Sequence, residues 1–442
     1  MSAHGDPPSL RIRWRIFAFL FAFGWLAYMQ QKSITVAAAR IMPDLSLSQL
    51  QIGWIEQAFV VGYALFQMPG GLFGQRVGAR RTFVIIGVLA CVAMLGTAAG
   101  PAWLAGRTLF VELLGMQLLL GAAQGAIFPV SAGVFEAWFP ASRWAFVQGL
   151  QTMGLQLGAA ATPPLVATLM HAFGWQRALV WTTLPAFAVI ALWAWYGRGS
   201  PREHPAVTPA ELAEIGTADP APTASPPRAG RVLRLLADRN VLLLAISYLC
   251  MNYTFYLLAN WVFLYLVQER HFSVLEGGWL ASAPPLAAAI GAGVGGMLTG
   301  LACRRFGERR GYRLVPLISL PAAGLLLLTA VDSPNAWVAV AVLSLCYGLV
   351  ELNEGAYWGA AMSVGRGDTM AVSGFMNTGG NLGGIIGIPI VAYLSGRGAW
   401  HAAFLVGTGC AIASAVAWLA IDADGSRGAA PAPRERPSSP PR

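Results

Sequence analysis

Apolar stretches of about twenty residues follow one another along the whole of this 442-residue chain. Each is long enough to cross ~30 Å of hydrocarbon as a helix. In hydrocarbon, backbone N–H and C=O groups must be paired within the protein, so a run of this length is predicted to be helical. Twelve runs are expected, at about 14–38, 51–73, 82–100, 104–132, 144–169, 176–197, 240–267, 277–301, 313–331, 336–362, 370–394 and 401–421. With 56% hydrophobic and 11% charged residues, the chain lacks the polar surface of a soluble protein.

Charge sets the expected orientation. With both termini cytoplasmic, all of the 29 Lys and Arg fall in inside segments except Lys32, Arg40, Arg107, Arg177, Arg270 and Arg397. That bias is the positive-inside rule for an even number of spans. The net charge of +9 is therefore topological, and no folded basic domain suggests a nucleic-acid partner. Met1 to Arg15 carries no cleavage pattern, so the first span is expected to stay in place.

A short basic turn occurs twice. Gln75-Arg76-Val77-Gly78-Ala79-Arg80-Arg81 follows the second run, and Arg304-Arg305-Phe306-Gly307-Glu308-Arg309-Arg310 follows the eighth, 229 residues later. Spans five and eleven match at an offset of 225, through Gly149/Gly374, Gly154/Gly379, Gln156/Asn381, Leu157/Leu382 and Gly158/Gly383. Spans four and ten match at 230, with Gln124-Gly125-Ala126 facing Glu354-Gly355-Ala356. Two related six-helix bundles are the simplest reading, the plan of many secondary transporters.

The expected organisation is a cytoplasmic tail (1–13), a first bundle (14–198), a mobile linker (199–238), a second bundle (239–421) and a disordered tail (422–442). The linker holds Pro201, Pro205, Pro209 and the run 220–227, too polar and Pro-rich for a core. Two short helices are expected within it. Thr208-Pro209-Ala210-Glu211 reads as a cap, a first-turn Pro and an early acid, and Arg231 to Leu236 as a basic interfacial helix.

Five dispersed cysteines without CxxC spacing, and five histidines in loops or tails, offer neither a metal site nor an intramembrane histidine relay. No cofactor is expected. An ATP-driven pump needs Gly-Lys-Ser/Thr, and the only lysine is Lys32. His-Glu-x-x-His is absent as well.

Ionisable groups inside a membrane cost ~2.5–3.5 kcal/mol each at mid-helix and so mark function. Lys32 lies late in span one, one turn beyond Tyr28 and next to Gln31. It either attracts an anionic substrate or snorkels to the outer surface. Glu351 and Glu354 lie near mid-depth in span ten, and spacing of three puts them on one helical face. So placed they would titrate as a coupled pair, which suits a proton carrier; a structural hydrogen bond is the alternative. Glu56 and Glu112 lie nearer the outer face and read as structural, and Glu136, at the inner rim, is expected to pair with a loop arginine such as Arg143. The candidate substrate-binding set is Tyr28, Gln31, Lys32, Tyr63, Gln124, Gln156, Tyr256, Asn260, Trp358, Asn377 and Asn381. About half such polar groups would serve only helix–helix hydrogen bonding. The basic turns, with Arg76, Gly78, Arg80, Arg305, Gly307 and Arg309, are the candidate conformational gate.

Several phrases resemble the major facilitator superfamily and, within it, the anion:cation symporters such as hexuronate, galactonate, glucarate, phthalate and sialin-like carriers. They are Tyr28-Met29-Gln30-Gln31 with Ser33 to Ala38, Gly62-Tyr63 with Pro69-Gly70-Gly71, and Trp138-Phe139-Pro140 with Arg143. Gly174-Trp175-Gln176, His204-Pro205 with Glu211, and Asn377 with Gly379-Gly380-Asn381 complete the set. The resemblance implies an all-α membrane protein of twelve helices in two pseudo-symmetric bundles. It further implies a monomeric, multi-pass secondary transporter of a small organic anion, a sugar or aromatic acid, with protons or another ion coupled. The lysine-poor, arginine-rich composition points to a bacterial inner membrane.

This chain also departs from that pattern. The family's Asp-Arg in span one falls on Gln30-Gln31, its span-four acid on Gln124, its span-four arginine on Gln117, and the first turn's acid on Gln75. An amide keeps the shape and loses the charge. The protonatable acid is therefore expected in the second half, at Glu354, the repeat partner of Gln124, with Lys32 or Arg40 in place of the missing arginine. The alternatives are an uncoupled facilitator or exchanger, or a proton-driven drug exporter. That last class carries Gly-Pro in span five, where this chain has Ala161-Thr162-Pro163-Pro164.

Overall fold

The structure, a computed structural model, describes residues 12–215, 237–271, 280 and 282–423. It is all-α. The first half comprises α1 (Ile12–Asp44), α2 (Gln49–Val77), α3 (Ala79–Ala99), α4 (Gly106–Gly125), α5 (Ile127–Trp138), α6 (Trp144–Phe173) and α7 (Trp175–Tyr196). A short α8 (Pro209–Ile215) precedes the second half, which comprises α9 (Arg239–Gln268), α10 (Ala283–Phe306), α11 (Glu308–Asp332), α12 (Ala336–Glu351), α13 (Glu354–Val364), α14 (Thr369–Ser395) and α15 (Trp400–Ala420). The fourth and tenth spans are each broken in two, α4/α5 and α12/α13, so twelve passes result.

Helix starts follow local chemistry. Ser48 Oγ accepts from Gln51 N (3.2 Å) while Ser48 N donates to Gln51 Oε1 (2.8 Å), a capping box that opens α2. Asp238 caps α9 and Asn335 caps α12 through their side-chain oxygens. Gly78 (φ 87°) and Gly307 (φ 78°) turn the chain between α2 and α3 and between α10 and α11, backbone that a side chain disfavours.

Ten helical stretches are apolar and long enough to cross a membrane. The two passes outside that set, α2 and α6, carry Glu56 and Gln67, and Gln148, Gln151 and Gln156. These two helices face the other half, α2 against α14 and α6 against α10, so they meet protein where their neighbours meet lipid. Within the halves the pairing repeats: α2 packs on α4 as α10 packs on α12, and α3 on α7 as α11 on α15.

The seam between the halves is built from small residues. A Cβ on Gly149 would lie 2.8 Å from Gly296 Cα, and one on Gly355 would lie 2.6 Å from Ala145 O, so α6, α10 and α13 meet backbone to backbone. Across α2 and α14, a Cβ on Gly71 would lie 2.2 Å from Met370 O. Gly367 N donates to Glu136 Oε1 (3.1 Å), another contact between halves. All of these lie in the part of the molecule that carries the basic turns and the linker.

The basic turns fasten their own halves. Arg80 Nε donates to Ala194 O (3.0 Å) at the end of α7, and Arg309 pairs with Asp422 (3.4 Å) just beyond α15. Cations there complement helix C-terminal carbonyls.

The linker departs from expectation over its first part. Residues 199–215 are docked on the first half. His204, 6% exposed, sits between the rings of Trp138 and Tyr196, and Ile215 is buried. The cap at Thr208 forms, Glu211 N donating to Thr208 Oγ1 (3.2 Å). The buried Arg13 donates to Glu214 Oε1 (2.7 Å), and its backbone N donates to Glu211 Oε1 (3.2 Å). Composition made this stretch look coreless because its partners lie in the first half. Asp422 and Ala423, assigned to a disordered tail, are held by Asn240 (2.8 Å) and Ser363 (2.8 Å). The expected helix at 231–236 lies outside the described residues.

Among the described glycines, the tightest approach is of α10 to the end of α12, where a Cβ on Gly295 would lie 1.9 Å from Leu352 O, while a Cβ on Gly409 would meet nothing within 4 Å. Gly295→Ala is expected to destabilise by about 1–3 kcal/mol through overpacking. Gly409→Ala is expected to be neutral or slightly stabilising through helix propensity. Thermal unfolding of the purified protein checks this; equal melting temperatures for the two variants would refute the packing assignment.

Candidate functional site

The break in the tenth span places the chemistry. α12 ends at Glu351 and α13 begins at Glu354, so the two acids flank the break and do not share one continuous helical face. Carbonyls freed by a break in lipid need partners. Asn353 supplies them: its Nδ2 donates to Leu349 O (2.8 Å) and Val350 O (3.0 Å), and Ser319 Oγ lies 2.8 Å from its Oδ1. Glu354 gains the N-terminal end of α13, where a negative charge is favoured.

Both carboxyl groups are buried, at 1% and 6% exposure, and both line one cavity between the halves. Glu354 is well partnered. Tyr248 Oη donates to its two oxygens (3.0 and 3.1 Å), and Trp358 Nε1 donates to Oε2 (2.8 Å). Glu351 Oε2 has no hydrogen-bond partner among the described residues.

The cavity encloses about 490 Å³ of empty space, counting its mouth. Of the candidate binding residues, Tyr28, Tyr63, Gln156 and Tyr256 line it, as do Trp358, Asn377 and Asn381. On α2, α6 and α14 these residues lie farther from the linker end than the glycine seam, so the seam forms the cavity floor. Asn377 Nδ2 donates to Gln67 Oε1 (2.7 Å) across the halves at that floor. Tyr256 Oη donates to Asn381 Oδ1 (3.0 Å), and Asn381 Nδ2 donates to Asn377 O (2.8 Å).

Four candidate residues lie elsewhere. Gln124 Nε2 donates to Gln30 Oε1 (3.1 Å) inside the first half, beside a small pocket walled by Ile86, Ala90, Ile127 and Ile190. The two amides satisfy each other there, which explains why Gln124 does not reach the central cavity. Gln31 and Lys32 are half-buried and outside the cavity lining, and Lys32 has Glu56 of α2 as the charged group beside it. Asn260 is exposed near the far end of α9. Arg76, Gly78 and Arg80, with Arg305, Gly307 and Arg309, stand at the linker end of the bundles, away from the cavity.

Asn252, a polar residue in the seventh apolar run, lines the cavity as well, and sequence reasoning missed Phe128, Thr152, Leu155, Tyr248 and Phe255, which also line it. A signal existed. Tyr248, Asn252 and Tyr256 recur every four residues, which marks one face of α9, and Thr152 precedes Gln156 by one turn of α6. Among the described lining residues there is no Lys, Arg or His.

The arrangement can hold a small polar solute through amides and hydroxyls, stack it on aromatic faces, and exchange protons at two acids. Several known proteins are similar to the chain along nearly all of its length. It is 26% identical to a probable sulfoacetate transporter of Cupriavidus necator over 90% of this chain and 91% of that one. It is 28% identical to a hexuronate transporter of Bacillus subtilis over 91% and 93%, and 24% identical to a D-galactonate transporter of Escherichia coli over 94% and 97%. Its fold matches a solved transporter, FucP, in the outward conformation, with a TM-score of 0.73 at 17% identity over 93% of this chain and 100% of that one. The Major Facilitator Superfamily model matches residues 20–365. On that match, and on the two bundles joined at a glycine seam beneath a central cavity, the chain belongs to the Major Facilitator Superfamily.

Proposed function

We propose that this protein is a secondary carrier that moves a small organic acid across the cytoplasmic membrane by alternating access, with protons coupled at Glu351 and Glu354. The observation that carries this reading is the buried acid pair lining the cavity between the halves. The similarity to hexuronate, galactonate and sulfoacetate transporters supports the substrate class. The linker end is taken as cytoplasmic from the positive-inside bias, with both termini inside and a single chain as the working unit.

In this reading the molecule faces outward. Its cytoplasmic side is sealed by the glycine seam and by the Gln67–Asn377 hydrogen bond, and the substrate enters from the opposite end. Lys32, one turn beyond Tyr28 on α1, draws anions toward the mouth. Protonation of the acid pair relieves like-charge repulsion and permits occupancy by an acid. Rocking of the halves then breaks the seam and opens the cytoplasmic side. Glu354 takes the coupling role because Tyr248 and Trp358 hold its geometry in place, while Gln30 and Gln124 leave the first half without an acid at the repeat-related position.

A second reading is favoured by one observation. A cavity with aromatic walls, two carboxyl groups and no cationic side chain among its described residues also suits a proton-driven exporter of lipophilic cations. Efflux of such a cation from vesicles, with no uptake of organic acids, would select it.

Two outcomes are expected. Glu354→Gln abolishes accumulation driven by a pH gradient in proteoliposomes, across a panel of sugar acids and short sulfonates; accumulation equal to that of the unaltered protein would overturn the coupling assignment. Gln67→Ala weakens the cytoplasmic seal. Spin labels at the exposed positions Arg81 and Arg310, on the linker face of the two halves, should then report a larger share of long distances. An unchanged distance distribution would remove Gln67 from the seal.

A further inference from the structure

The cavity carries charge of one sign only. Glu351 and Glu354 line it, and none of its described residues is Lys, Arg or His. The chain's only lysine stands outside the lining, beside Glu56. Among the described residues, every Arg lies within two turns of a helix end or between helices. A solute bearing only negative charge would meet two carboxyl groups here and no compensating cation.

The unused hydrogen-bonding capacity is also specific. Glu354 is satisfied by Tyr248 and Trp358. Among the described residues, Glu351 Oε2 and Gln156 Nε2, in residues 1% and 3% exposed, meet no third hydrogen-bonding group; each has only the other beside it, the Gln156 amide facing the Glu351 carboxyl group. A solute entering between them would meet an acceptor of negative character on one side and a neutral donor on the other. Buried polar groups left open in this way call for a ligand or water. Aromatic faces from four helices surround them, with Tyr28 on α1, Tyr63 on α2, Tyr256 on α9 and Trp358 on α13. Such faces attract a cationic nitrogen, most strongly when it is desolvated.

We infer that the substrate of this carrier is a small zwitterion, an organic acid that also bears a protonated amine. The ammonium sits against Glu351 Oε2 and the aromatic faces, and the acid group takes the Gln156 amide and points toward the Lys32 side of the cavity. The inference rests on the carrier reading above and narrows its substrate class. It also accounts for the loss of the arginine that the family resemblance places at Gln31, because the solute supplies its own positive charge. Tyr28, Tyr248 and Tyr347, together with Glu354, are the other titratable groups that face Glu351.

The test uses the full-length purified protein and two matched sets of solutes. Glucosaminate, gluconate and glucosamine form the first set; taurine, isethionate and ethanolamine form the second. Each set holds a zwitterion, its nitrogen-free acid and its acid-free amine. Thermal stabilisation and proteoliposome uptake are both read. A zwitterion from at least one set should act at concentrations at least tenfold below both of its partners, and Glu351→Gln should erase that preference. Equal or stronger action by the nitrogen-free acids overturns the inference and leaves the acid-carrier reading standing. Action by the amines alone overturns both. No response to either zwitterion overturns the inference, and uptake of any other nitrogen-free acid would show that the carrier reading survives it.

Discussion

A carbonyl group in hydrocarbon has no water to bond to, and the tenth span depends on how that constraint is met. Breaking a helix at mid-depth frees backbone groups, and a break persists only where neighbours pair them. Asn353 covers Leu349 O and Val350 O, Ser319 fixes Asn353, and the glycines of α10 let Leu352 approach within backbone distance. That arrangement turns Glu351 and Glu354 to one chamber from two separate helices. Without the side chain of Asn353, Leu349 O would lose its partner at the break, and Val350 O would keep only backbone N–H donors. The acids and the break are one construction.

The first half has a milder version of the same feature. The fourth span breaks at Ala126, two residues after Gln124, as the tenth breaks around Glu354. There the polar residue turns inward to Gln30, and the pair closes on itself. Two related bundles thus treat corresponding positions in opposite ways. One buries a neutral amide pair away from the central cavity, and the other directs ionisable groups into it. The related halves share the geometry, and the residue at each position decides which half presents ionisable groups to the central cavity.

Much of this was legible in the residues alone. Long apolar runs gave the passes, the repeated basic turns gave the two halves, and the spacing of Glu351 and Glu354 singled out the tenth span. What stayed hidden depends on direction. Gln31 and Lys32 follow Tyr28 by three and four residues, on the same side of α1, yet stay out of the lining because they stand one turn farther along the helix, where Glu56 of α2 is beside Lys32. Gln124 and Asn260 are polar residues in apolar runs, but one has an amide partner within its own half and the other is exposed at the far end of its helix. The helix break itself carried no proline or glycine at Leu352-Asn353, so nothing local announced it. The docked start of the linker was invisible to composition because the surface that receives it, Trp138, Tyr196 and Arg13, comes from distant parts of the chain.

That docking reaches beyond the linker. With His204, Ile215 and the acids of α8 anchored to the first half, only residues 216–236 connect one half to the other as chain. A cut within that stretch would leave α8 with its own bundle, and union of the two pieces would then rest on the α2–α14 and α6–α10 seams and on the contacts of α6 with α13 and α5 with α14. The two halves should therefore behave as complementary fragments that reassemble without covalent linkage. Their affinity for each other would report the free energy of the closed seam directly, apart from any solute.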